Sequence, residues 1–294
     1  MNDNYETIIS EFGFRSISPL PSEQELAAYY QSDYYQNPHG TYQETYTPQE
    51  VQARENKFRL KLELINLHRD ETLEMGYFLD VGCGEGYFLD FLYRSGYSVL
   101  GLDFSDFGID KFNPHLLSRF IKGDIYKNLR NLQGDSKRFD VINLGNVLEH
   151  VLDPVELLRD LRSLLKPSGL LLVTVPNDFS KLHQALLLAE HIDGPFWVTP
   201  PDHLHYFTLD SLENLCSGIG LDPLDSIADF PIDWLLANPN SNYVKDPSLG
   251  PAAHSSRVFI EDLINGLGGS VALNFWREMS RLGMGRTVTS LSRA

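Results

Sequence analysis

Between residues 77 and 175 the chain alternates short, almost unbroken apolar runs with segments whose apolar positions recur every three or four residues. The runs at 77–81, 98–103, 119–122, 139–144 and 170–175 are too short for buried helices, and they are rich in the Val, Leu, Ile and Phe of strands covered on both faces. Strands alternating with amphipathic helices predict a parallel α/β sheet with helices on both faces. The best-marked helix lies between the last two runs. Asp153 is a natural N-cap, Pro154 suits the first helical position, and Leu157, Leu158, Leu161, Leu164 and Leu165 form a buried stripe that ends at Lys166-Pro167-Ser168-Gly169.

The flanks break this rhythm. Residues 1–72 are polar and carry Tyr29, Tyr30, Tyr34, Tyr35, Tyr42 and Tyr46; they read as a helical preface or lid, its clearest helix following Pro48 with Val51, Phe58, Leu62 and Ile65 on one face. The main domain then spans 73–294, with an insertion at about 176–201 carrying a helix near 181–190. A helix at 209–217, a strand near 224–230, a second partly helical insertion at 231–282 and a last strand at 286–292 follow. Long stretches between a strand and the next helix usually cover a site.

Composition narrows the class. The 294 residues, 42% of them hydrophobic, are ample for one large core. The 24 Lys and Arg against 40 Asp and Glu leave a net charge of −16, which repels phosphate backbones and anionic lipid, so nucleic acid is not an expected partner. Cys83 and Cys216 are far apart and show no metal or disulfide spacing, which fits a reducing, cytoplasmic setting. The N-terminus lacks the basic start and apolar run of a signal peptide, and no segment approaches the length of a membrane span.

Candidate chemistry concentrates at Phe78-Leu79-Asp80-Val81-Gly82-Cys83-Gly84-Glu85-Gly86, an apolar strand followed by a glycine-rich turn and a helix. Glycines let the backbone approach a ligand at the carboxyl ends of the strands. The next strand ends at Asp103, where a carboxylate can accept both hydroxyls of a ribose. The loop spacing GxGxG departs from the dinucleotide pattern GxGxxG, and Glu85 is a poor neighbour for pyrophosphate, so a nucleoside cofactor without phosphate, S-adenosylmethionine, is the better fit and a nicotinamide cofactor the worse one.

Together with Gly123-Asp124-Ile125 after the third strand and the run from Phe139 to Pro154, these motifs resemble those of class I S-adenosylmethionine-dependent methyltransferases. Downstream, Pro201-Asp202-His203-Leu204-His205-Tyr206-Phe207-Thr208 is similar to the branch that contains ubiquinone-biosynthesis and sugar O-methyltransferases. The resemblance implies a Rossmann-like sheet of seven mostly parallel strands, the last antiparallel. It also implies roles by position: Asp80, Gly82, Cys83, Gly84 and Gly86 at the methionine moiety, Asp103 at the ribose, Phe104 beside the adenine, and Asp124 and Ile125 at its amino edge. Asn143, Leu144, Gly145 and Asn146 would close over the methionine and open onto the acceptor. Tyr34, with Tyr35, would belong to a segment covering the cofactor.

Methyl transfer to an alcohol or phenol needs a group that removes the proton. His150, His203 and His205 are the candidates, His203 and His205 sharing a face if the segment is extended. Glu149-His150 resembles the Glu-His with which some quinone O-methyltransferases of this kind, together with a preceding acidic residue, hold magnesium; the position corresponding to that first carboxylate is Asn146 here, so no obligatory metal is expected. In the last insertion Asp233, Trp234, Asn242, Tyr243, His254 and Arg257 suit a sugar acceptor, and equally a homodimer interface. The expectation is therefore an O-methyltransferase acting on a small polar acceptor, a saccharide or nucleotide-linked sugar. A quinone or phenol O-methyltransferase, an amino-sugar N-methyltransferase and a non-catalytic cofactor-binding subunit remain as alternatives.

Overall fold

The structure, a computed structural model, describes residues 5–29, 45–69 and 76–294. In chain order the strands are β1 (Glu6–Ile9), β2 (Arg15–Ser18), β3 (Tyr77–Val81), β4 (Ser98–Asp103), β5 (Phe120–Lys122), β6 (Phe139–Gly145), β7 (Leu165–Pro176), β8 (His205–Tyr206), β9 (Asp222–Ala228) and β10 (Thr287–Arg293). The helices are α1 (Glu23–Tyr29), α2 (Pro48–His68), α3 (Tyr87–Arg94), α4 (Phe107–Phe112), α5 (Ile125–Gly134), α6 (Pro154–Leu164), α7 (Lys181–Leu188), α8 (Leu209–Gly218), α9 (Gly250–Asn265) and α10 (Gly269–Arg281).

Seven strands form the main sheet in the order β5-β4-β3-β6-β7-β10-β9. Neighbours β5 to β7 run parallel, while β10 is antiparallel to both β7 and β9. The seven-stranded, mostly parallel arrangement implied by the motifs is therefore present. Alternate residues of the central strands feed two separate cores. Leu79, Val81, Ile142, Leu144, Val173 and Val175 pack with α6 and α8, whereas Phe78, Val141, Leu170 and Leu172 pack with α2, α3 and α10. Burial on both faces is why these strands read as continuous apolar runs rather than alternating ones.

Helix starts follow from local chemistry. Thr47 and Glu50 form a capping box at α2, Asp153 accepts the Glu156 backbone N–H at α6, and Thr208 and Ser211 form a capping box at α8.

The preface is helical in α1 and α2, but it also contains the β1–β2 hairpin, which the helical reading of residues 1–72 omitted. Each strand is only four residues long, and β2 is completed by β8 from nearly two hundred residues away, so no local pattern announces it. This small sheet packs a third core of Ile17, Leu186, Trp197, Leu204, Tyr206 and Leu236 beneath the two insertions. It brings the segment around His203 to the carboxyl end of the main sheet.

Candidate active site

The turn after β3 is shaped by its glycines. Gly82 has φ +72°, and a Cβ there would lie 2.2 Å from Val147 Cγ2; Gly84 has φ +53°, and a Cβ would meet nothing within 4 Å. One glycine thus lets the loop press against the chain after β6, and the other leaves an open surface. Gly82 and Cys83 both donate their backbone N–H to Leu102 O, which ties the loop to β4. Gly86, at φ +76°, opens α3.

At the end of β4, Asp103 is buried. Its Oδ2 accepts Gly84 N–H at 2.8 Å and its Oδ1 accepts Ser105 N–H at 3.0 Å, which leaves a lone pair on each oxygen for further donors. Burial raises its pKa. The adjacent Phe104 ring is 44% exposed at the same rim. Asp124 is exposed at the N-cap of α5, where one oxygen accepts Lys127 N–H at 2.7 Å, and Ile125 begins that helix.

The same glycine loop is gripped from the preface. Glu85 accepts Tyr46 O–H at 2.6 Å and pairs with Arg54 at 2.8 Å, while the Arg54 guanidinium lies 3.9 Å from the centre of the Tyr46 ring. Burial, then the Glu85 hydrogen bond, pushes the Tyr46 hydroxyl up to about 12, so it stays a donor. Tyr46 therefore braces the loop; Tyr34 and Tyr35 lie outside the described residues.

Asp80 points into the sheet face under α2. It accepts Asn143 Nδ2–H at 2.6 Å, and burial pushes its carboxyl up to about 6. Lys61 of α2 donates to Thr174 Oγ1 at 3.0 Å on the same face, with its ammonium driven down to about 8 by burial. Lys61 was not among the sequence candidates. Its only signal is a lysine next to Leu60 in the buried stripe of α2 with Leu64 and Ile65. Of the four residues expected to close over the methionine, Asn143 instead supports Asp80 and Leu144 is core. Gly145 and Asn146 remain at the rim, Asn146 exposed with φ +54°.

On the acceptor side the three histidines separate. His205 is 2% exposed, its Nε2–H donates to Val151 O at 2.8 Å and its Nδ1 accepts the Ser16 hydroxyl at 2.7 Å. With both nitrogens engaged inside the protein it links β2 to the chain after β6, so it is removed from the catalytic candidates. His150 and His203 do come together, their rings edge to face with centroids 4.9 Å apart. His150 Nδ1–H donates to Asp202 O at 2.6 Å, and its Nε2 lies 3.8 Å from Glu149 Oε1. His203 has Asp178 Oδ2 at 4.0 Å from Nδ1 and Asp202 Oδ2 at 3.8 Å from Nε2. Burial drives His203 down to about 3 and pushes the Glu149 carboxyl up to about 7. The Glu149 carbonyl accepts the N–H groups of Leu204 and His205, so the backbone itself stitches the insertion to the end of β6.

Glu149, His150 and His203 also form the one group of three ligand-type side chains close enough to share a cation among the described residues, their donor atoms within 4.8 Å of one another. A separate cavity of about 470 Å³, lined by Tyr77, Tyr93, Tyr97 and Arg119, opens at the opposite end of the strands and plays no part in this constellation. No helix among the described residues is long and apolar enough to cross a membrane.

A glycine loop with open space over Gly84 and a buried carboxylate with spare acceptors one strand over lie at the carboxyl end of the sheet, the end to which the histidine pair is also brought. Residues 53–226 match the methyltransferase domain family, more than half of the chain, and the chain belongs to that family, within the class I S-adenosylmethionine-dependent methyltransferases. Among curated relatives, the chain is 31% identical over 162 residues to a ubiquinone biosynthesis O-methyltransferase of Roseobacter denitrificans and 33% identical over 163 residues to that of Cereibacter sphaeroides. Each match covers 53% of this chain, and 64% and 65% of the respective relative, just under two thirds of its length. Among solved structures, a Burkholderia thailandensis 1,6-didemethyltoxoflavin-N1-methyltransferase shares the fold over 98% of both chains, with a TM-score of 0.51 at 15% identity. A methyltransferase from Archaeoglobus fulgidus has a TM-score of 0.50 at 18% identity, covering 82% of this chain and 98% of that one.

The residues present fit the cofactor. Asp103 would hold the ribose hydroxyls, Phe104 would flank the base, Asp124 would accept from its amino group, and the Gly82–Gly86 turn would carry the methionine end.

Proposed function

We propose that the protein transfers a methyl group to a phenolic or quinol oxygen of a small acceptor held beside His150 and His203. The observation that carries this reading is the meeting of those two rings with Glu149 in the chain just beyond β6. S-adenosylmethionine supplies the methyl from its sulfonium, the carbon–sulfur electron pair staying on sulfur. The protein's part is to align the acceptor oxygen with that carbon and to take its proton. His150, fixed by its Nδ1–H bond to Asp202 O, flanks the acceptor, and His203 removes the proton as the oxygen attacks.

The strength of these groups favours a phenol over a sugar. Burial weakens His203 as a base, and a phenol, which loses its proton near pH ~10, asks less of a weakened base than an aliphatic hydroxyl does. The names of the relatives support a quinone-type acceptor. The groups expected to read sugar hydroxyls are also largely spent within the protein. Asn242 donates to His191 O and Leu236 O and accepts Lys245 N–H, Asp233 accepts from His183 and Tyr243, and Arg257 pairs with Glu261. The test is His203→Asn assayed with methyl-labelled S-adenosylmethionine and catechol. Transfer should fall at least a hundredfold while S-adenosylhomocysteine still binds, and an unchanged rate would remove His203 from the chemistry.

A further inference from the structure

Four buried side-chain atoms without a hydrogen-bond partner lie at the histidine pair, His203 Nδ1 within it and Glu149 Oε2, Asp178 Oδ2 and Asp202 Oδ1 around it. Buried polar atoms are nearly always satisfied, so such a concentration marks a place where something is held ready rather than at rest. Two of the four face each other, Asp178 Oδ2 and His203 Nδ1, at 4.0 Å.

Asp178 is built to aim at that ring. It is 1% exposed, and its backbone N–H donates to Phe207 O at 2.8 Å, which fixes the main chain just beyond β7. Its Oδ1 accepts Arg286 Nη1–H at 2.7 Å, so one oxygen is anchored and the other is turned to His203. Arg286, immediately before β10, is held in turn by Asp233, 3.9 Å away, which also accepts from His183 at 2.8 Å and from the Tyr243 hydroxyl. The His203 backbone is equally constrained, its N–H donating to Thr199 O and its carbonyl accepting the Tyr206 hydroxyl.

We propose that Asp178, clamped by Arg286 and buried where Asp202 is half-exposed, is a positioning residue that holds His203 as the Nδ1–H tautomer, so that Nε2, with Asp202 Oδ2 3.8 Å away, keeps the lone pair that meets the acceptor. The inference rests on His203 acting as the base. In the step, the acceptor O–H bond breaks, its proton goes to Nε2, and the oxygen bonds to the methyl carbon as the carbon–sulfur bond breaks. Asp178 then faces the imidazolium, and the proton leaves Nε2 for solvent. Burial alone makes His203 a weak base, so a carboxylate that closes from 4.0 Å to hydrogen-bond distance as the ring becomes charged supplies what the apolar surroundings remove. Hydrogen bonds of this kind are often long before substrate binds.

Nitrogen-15 spectra of the imidazoles, with the His203 signals assigned by their loss in His203→Asn, read the tautomer without any need for turnover. The full chain should show His203 protonated at Nδ1, and Asp178→Asn, whose amide can offer N–H to that nitrogen, should move the proton to Nε2. An Nε2–H ring in the unaltered protein overturns the proposal, and this holds even if the variant does not fold. An unchanged tautomer in folded Asp178→Asn overturns it as well. Failure of the functional reading looks different: the tautomer would respond to Asp178→Asn while His203→Asn transferred methyl to catechol at the unaltered rate.

Discussion

Gly84→Ala separates stability from cofactor binding more cleanly than any other single change in the cleft. The residue has φ +53°, and an added Cβ would meet no protein atom within 4 Å, so the folded state loses only the backbone preference. A left-handed alanine costs about 1–2 kcal/mol, or roughly 2–3 °C in Tm for a chain of this size. The methyl would, however, occupy the surface where the methionine end of the cofactor must approach the backbone. Calorimetric titration with S-adenosylhomocysteine should therefore show affinity weakened more than tenfold, a loss above about 1.4 kcal/mol, in a protein that still melts cooperatively. Gly82→Ala is the contrasting control. Its Cβ would lie 2.2 Å from Val147 Cγ2, so overpacking of about 1–3 kcal/mol adds to the backbone term and stability falls first. Wild-type affinity in Gly84→Ala would refute the assignment of that open surface to the cofactor.

Three further outcomes follow from the same geometry. Glu149 has its folded pKa raised by burial to about 7, above its unfolded value, so folding binds a proton there and stability falls as pH rises from about 4.5 to 7; Glu149→Gln should stabilise the fold at pH 8 by on the order of 3 kcal/mol, seen as a higher Tm, and change little at pH 4, and equal effects at both would contradict the burial argument. Arg54→Ala leaves Glu85 held from the preface by the Tyr46 hydroxyl alone, at a cost of about 1 kcal/mol or less because the pair is partly exposed, and S-adenosylhomocysteine should dissociate several times faster by stopped flow; an unchanged rate would show that the ion pair does not act on the loop. Treatment with a chelator should leave methyl transfer to catechol unchanged, since the proposed chemistry is proton transfer to imidazole, and loss restored by magnesium would overturn it.

What was readable in the sequence was what depends on neighbours along the chain. Strands β3 and β4 begin and end where their apolar runs do, and Asp103 follows from the position of its strand end. Strand β7 runs back to Leu165 because pairing with β6 starts before the apolar run does, at Phe139 with Leu165. His205 looked as eligible as His203, because what distinguishes them is a serine 189 residues away and a backbone carbonyl 54 residues away. Asp178 and Arg286 are 108 positions apart, and nothing in either segment announces the other. Glu149 was visible only as half of a metal motif; its role in holding the insertion through its carbonyl depends on the fold. The internal partners of Asn242, Asp233 and Arg257 were hidden for the same reason, so residues that looked available for a sugar acceptor are bonded within the insertions.

The central claim is transfer of methyl to a phenolic oxygen, and the most direct measurement supplies the purified protein with carbon-13 methyl-labelled S-adenosylmethionine and a mixture of catechol, a free hexose and an amino sugar. Label should appear as an aryl methyl ether, formed by the unaltered protein and lost in His203→Asn and Asp103→Ala. Label on the hexose oxygen or on the amine nitrogen, with none on catechol, would contradict the account.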